Sequence, residues 1–225
     1  MRISTLLALV VVLLSGTGAS GVASAADEDM ACHFLPVADS GANLQHAQSV
    51  GVLYSENTLN TLEYLEHYHA VALNGAKSAD LDPRISQAFV SSSDPKRAIN
   101  WLMASLHKHF ASVTVYDNLD AAVQAHPDVV VMLDTYNQLV TKRNNRVEAR
   151  FIAKFYDANL QYIGQAEGLR AKDMPSVWVR GKAAPEIAAQ IDQQTELQLD
   201  ALKQFDVSLK ALVTQEDAGQ MAVNK

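Results

Sequence analysis

Glu63, Glu66, His67 and His69 crowd one stretch of this 225-residue chain, and Glu63 and His67 stand four residues apart. On a helix that spacing puts both on one face. A carboxylate beside a neutral imidazole is a donor pair for zinc or copper, although a closed site needs four ligands. A solvated helix face near an acidic surface is the competing account of the same residues. His107 and His109 are two apart, diverge by about 200° on a helix and cannot share one ion. Asp134 follows the apolar run Val129 to Leu133, and ligands often sit at the carboxyl ends of strands in α/β sheets. An aspartate there is equally an ordinary cap. Glu63, His67 and Asp134 are thus the ligand candidates. Trp178, flanked by Val177 and Val179 in a strand-like stretch, is a candidate for a contact surface.

Other chemistries lack their residues. G-x-x-x-x-G-K-[ST], G-x-S-x-G and H-E-x-x-H are all missing, so no P-loop, nucleophile elbow or zincin helix can be drawn. No catalytic residue and no cofactor is expected. Eighteen basic against 25 acidic side chains give a net charge of −7, with no basic excess to draw the chain onto nucleic acid.

The N-terminus reads as an address. Met1-Arg2, the apolar run Leu6 to Leu14 and the small-x-small pattern of Ala23 and Ala25 form a signal peptide over residues 1–25, with a mature chain from Ala26. No later run approaches the roughly 20 apolar residues of a transmembrane helix, so no transmembrane anchor is expected in the mature chain. Cys32, the sole cysteine, lies behind Asp27, Glu28 and Asp29, unlike a lipidation cysteine. It is expected free or paired between chains. Export to the periplasm follows, with outer-membrane association left open.

Residues 26–48 read as a flexible leader, 49–213 as a single α/β domain and 214–225 as a polar tail. Ser49 to Tyr54 predicts a strand. A helix follows, capped at Asn57 or Thr58, with Leu59, Leu62, Leu65, Tyr68 and Ala72 as its apolar face. Lys77 to Ser93 reads as a loop. Asp94-Pro95 opens a second helix, Ser112 to Tyr116 is a strand, and Asn118 to His126 is a short helix. The run Val129 to Leu133 suits a strand covered on both faces. Val147 to Tyr156 alternates strictly and returns through Asp157-Ala158-Asn159 as a hairpin. Pro185 to Val213 predicts a helix of about 40 Å. The order β-α-α-β-α-β-β-β-α implies a mixed sheet with helices packed on it, on the border of α/β and α+β. Strands of six residues or so span only about 20 Å. Phe205, Leu209, Leu212 and Val213 should then overhang the sheet as an interaction surface, and a chain cut after Gln204 should still fold.

The segments HFASVTVYDNLDAAVQAHPDVVVMLD and VEARFIAKFYDANLQYIGQAEG, between an early strand–helix pair and a closing amphipathic helix, carry a resemblance. Over roughly residues 49–213 the chain resembles the small α/β domain of ABC-transport auxiliary lipoproteins and the amino-terminal domain of TolB. That resemblance implies a scaffolding or binding domain and carries over no catalytic residue. The expected function is a non-catalytic periplasmic binding or scaffolding domain of an envelope assembly or transport system. Its partner would be an envelope protein or a second copy of itself. A small-ligand or metal-binding periplasmic protein and an exported enzyme are the alternatives.

Overall fold

Apolar residues at every position from Val129 to Leu133 demand cover on both sides, and the structure supplies it. The computed structural model describes residues 40–77, 82–140, 145–175 and 181–223, with side chains as far as Val213. Its elements run β1 (Ser49–Tyr54), α1 (Glu56–Ala76), α2 (Pro83–Ser92), α3 (Lys96–His109), β2 (Ser112–Val115), α4 (Leu119–Ala125), β3 (Val129–Gln138), β4 (Arg146–Asp157), β5 (Tyr162–Asp173) and α5 (Ala184–Val223). The strands form one mixed sheet in the order β2-β1-β3-β4-β5. β1 runs parallel to both β2 and β3, while β3, β4 and β5 are antiparallel. Val129, Val131 and Leu133 of β3 join the large core under α3 and α5. Val130 and Met132 point the other way, toward Ala122 of α4. On β4 the inward set Val147, Ala149, Phe151, Ala153 and Phe155 is buried throughout, as its alternation requires. The fold is α/β with a mixed sheet, helices packed on it and a long closing helix.

Four local expectations fail, each for a tertiary reason. Asp82-Pro83, read within a loop, opens α2: Asp82 accepts from the Arg84 N–H and Pro83 occupies the first turn. Ile85 and Ala88 of that helix pack with Ala188 and Ile191 of α5. The apolar face of α1 is rotated. Ser55, not Asn57 or Thr58, is its cap, the buried residues are Thr58, Thr61 and Leu65, and Leu59 is 54% exposed. Residues 40–48, read as part of the leader, are packed: Leu44 is 1% exposed in the main core, and the Ser40 N–H donates to Tyr162 O.

The overhang of α5 is also absent. β4 and β5 are 12 residues each, not six, and so run about 40 Å. The sheet therefore reaches as far as the apolar stripe does, and Phe205, Leu209 and Val213 are buried in the core. Leu212 is partly buried and lies over Gly164 of β5. The helix backbone continues to Val223, where a polar tail was expected from Thr214. α5 also covers the outer edge of β5: the N–H groups of Glu167 and Leu169 donate to Ser208 Oγ and Gln204 Oε1. An open edge that would otherwise template another strand is closed in this way. Gln194 Oε1 similarly accepts from the Val140 N–H, which explains a buried glutamine on this helix.

The packed N-terminal segment has a pH consequence. His46 stacks on His109 with ring centroids 5.8 Å apart, and His46 Nδ1 lies 2.7 Å from His109 O. Burial first, then the neighbouring charges of His46 and Lys108, hold the buried His109 below the ordinary value of 6.5. The folded chain binds this proton less readily than the unfolded chain. The stabilisation is therefore present above about pH 6.5 and is lost as pH falls toward the depressed value. Urea titrations at pH 7 and pH 5 should show a smaller loss in His109→Leu than in the parent. Equal losses would mean that His109 does not set this dependence.

Candidate binding cleft

Unequal strand lengths create the site. β1 has six residues and β3 has ten, and their pairing ends at Tyr54 opposite Leu133. Beyond that point the edge of β3 has no neighbouring strand. Main-chain groups of alternate residues face the same edge of a strand, so Leu133, Thr135 and Asn137 all point to the vacated side. The start of α1 stands in for the missing strand. Leu133 O accepts from the Ser55 N–H at 2.9 Å and from Thr58 Oγ1 at 2.8 Å. The Thr135 N–H donates to Thr58 Oγ1 at 2.9 Å, and Thr61 Oγ1 donates to Thr135 O at 3.0 Å. This explains the rotated helix face, because hydroxyls at positions 58 and 61 match a polar strand edge where leucines could not.

Thr58→Val removes the bridging hydroxyl and leaves the Thr135 N–H buried without a partner. A cost of about 1–3 kcal/mol is expected in urea unfolding, most of it recovered by Thr58→Ser. A neutral Thr58→Val would show that α1 does not close this edge.

Past Thr61 the helix leaves the strand, and a cleft of about 400 Å³ opens between them. Asn57, Asn60, Thr61 and Tyr64 line it from α1, and Tyr136, Asn137, Gln138 and Leu139 from β3 and the residue after it. The Tyr136 hydroxyl donates to Gln138 Oε1 at 3.1 Å. The Tyr64 hydroxyl accepts from the Leu139 main chain, and burial raises its pKa despite that bond. Behind it, burial pushes Tyr68 up to about 12, and the ring packs between Tyr64 and Phe89 with centroids 6.2 Å from each. Tyr64 is thus held neutral on a firm aromatic base. Among the described residues the lining offers amides, hydroxyls and two partly exposed rings, and no carboxylate, imidazole, amine or thiol.

The residues singled out by chemistry fall elsewhere. Glu63 and His67 are exposed on α1 and do not line the cleft. Asp134 is inside β3, not at its end, and is 5% exposed. Its Oδ1 accepts from Ser55 Oγ at 2.8 Å, which anchors the first turn of α1. The three are not brought together, and among the described residues no cluster of three or more His, Cys, Asp or Glu could hold a metal ion. Cys32 and Trp178 lie outside the described residues. Phe205 and Leu209 belong to the core. Tyr64, Tyr136 and Asn137 were missed. The available signal was the alternation of Asp134-Thr135-Tyr136-Asn137-Gln138, which continues β3 past its apolar run.

No protein-family model matches the chain, and no curated protein matches it. Among solved structures it is similar to a PelC dodecamer variant from Paraburkholderia phytofirmans at 15% identity, over 72% of this chain and 94% of that one, with a TM-score of 0.32. A PelC dodecamer from the same organism matches at 16% identity over 68% and 89%, with a TM-score of 0.31. A minor lipoprotein from Acinetobacter baumannii matches at 9% identity over 75% and 92%, with a TM-score of 0.26.

Proposed function

We propose that this chain is an exported, non-catalytic binding domain of a bacterial cell envelope, and that the cleft between α1 and β3 holds its partner. The observation that carries this is the lining of the cleft, where amides, hydroxyls and rings converge and, among the described residues, no carboxylate, imidazole, amine or thiol joins them. Such a lining suits recognition and orientation of an uncharged polar group. The signal-peptide pattern of residues 1–25 supports export. No helix among the described residues is long and apolar enough to cross a membrane.

The test uses the full chain expressed in a bacterial host. The processed protein should appear in the envelope fraction with Ala26 at its N-terminus. A photo-crosslinking side chain at Asn60 should form a discrete adduct in intact cells, while one at the exposed Val207 of α5 should not. Retention in the cytoplasm with residues 1–25 attached would overturn the proposal. So would equal labelling from both positions, or none from Asn60.

A further inference from the structure

We infer that the cleft takes an extended, uncharged peptide segment, paired main chain to main chain with Asn137; this rests on the cleft being the binding site. Along the vacated edge of β3, nearly every inward group has a partner. Leu133 and Thr135 are served by Ser55, Thr58 and Thr61, and the Leu139 main chain by the Tyr64 hydroxyl. Asn137 falls between the last two. Its N–H and C=O face the same edge by alternation, and among the described residues neither has a hydrogen-bond partner. Asn137 is only 6% exposed, and main-chain groups of a buried residue are almost always paired. The gap opens into the cleft.

One N–H and one C=O on the same residue, aimed the same way along a strand edge, are complementary to the main chain of another extended segment. The outer edge of β5 is closed by Ser208 and Gln204 of α5, whereas the main chain at Asn137 faces the cleft with no such partner among the described residues. Three extended residues measure about 10 Å, a length suited to a cleft of this size. Tyr64 and Tyr136 flank the opening, where a segment's alternate side chains would pack. Charged side chains are disfavoured, because among the described residues no charged group of the lining would pair with them and burial of an unpaired charge is costly.

The test uses the processed chain, labelled with nitrogen-15, and four probes. These are a blocked Ser-Val-Thr-Val tetrapeptide, the same peptide N-methylated at its central amide, a blocked Glu-Lys-Glu-Lys tetrapeptide and a neutral tetrasaccharide. The first should shift the amides of Asn137, Tyr64 and Tyr136 saturably at millimolar concentration and slow exchange of the Asn137 N–H by about tenfold. The methylated and charged peptides should do neither. Equal binding of the methylated peptide overturns main-chain pairing, and equal binding of the charged peptide overturns the requirement for an uncharged segment. Shifts by the tetrasaccharide alone overturn the peptide inference and leave the cleft as the binding site. Silence from all four, or shifts confined to other surfaces, also overturns the inference, whereas the Asn60 crosslink reports separately on the proposed function.

Discussion

Gly168→Ala should be the most damaging small substitution in the sheet. A Cβ at this position would lie 2.0 Å from Ala201 O and 2.7 Å from Phe205 N, both backbone atoms of α5. A flexible side chain could turn away, but a helix backbone packed over β5 must move as a unit. Overpacking a core typically costs 1–3 kcal/mol, and a backbone clash this deep should cost about 3 kcal/mol or more. For a domain of this size that lowers the melting temperature by about 6–12 °C. Displacing α5 would also pull Ser208 and Gln204 from the β5 edge, so amide exchange at Glu167 and Leu169 should quicken. Gly75→Ala on α1 is the control. Its Cβ would meet nothing within 4 Å, and the change should raise stability by up to about 1 kcal/mol. A Gly168→Ala variant within about 1 kcal/mol of the parent would show that α5 is not seated on β5 as described.

A stop after Gln204 should abolish cooperative folding. It removes Phe205, Leu209 and Val213 from the main core. It also removes Asp206, which accepts from Trp101 Nε1 and Ser105 Oγ and so ties α5 to α3. Losing a buried phenylalanine side chain costs about 3–5 kcal/mol by itself, and a buried leucine about 2–5. Domains have about 5–15 kcal/mol in all. The truncated chain should lose its near-ultraviolet circular dichroism and its sharp thermal transition. Phe205→Ala alone should stay folded and lose about 3–5 kcal/mol. A truncated chain that still melted cooperatively near the parent temperature would put the last turns of α5 outside the core.

Both expectations reverse or extend what periodicity suggests. The stripe on α5 was legible, because its helical spacing is local. What lies beneath the stripe was not, since that depends on the lengths of β4 and β5, and strand ends are set by pairing. α2 was missed for a related reason. Its short apolar face acquires meaning only against Ala188 and Ile191, about a hundred residues away in the chain. The ligand candidates Glu63, His67 and Asp134 stand out by side-chain chemistry, whereas the cleft borders the main chain of Asn137, which has no hydrogen-bond partner among the described residues.

The amino-acid sequence by itself determined the elements whose signals are local. These are the doubly covered strand at Val129 to Leu133, the strict alternation of β4, its hairpin turn at Asp157 and the α/β order that ends in a long helix. It also carries the signal-peptide pattern. Tertiary structure alone decided which face of α1 turns inward. An apolar leucine stripe and a threonine stripe coexist on that helix, and the target it meets is a strand edge with exposed N–H and C=O groups. Hydroxyls satisfy those groups and leucines cannot, so the polar stripe is buried and Leu59 is left in water. The cleft follows from the same geometry. A ten-residue β3 runs on past a six-residue β1, and a helix, which rises only 1.5 Å per residue and lacks the pleat of a strand, can mimic the missing neighbour for just a few residues before its path and the strand's diverge.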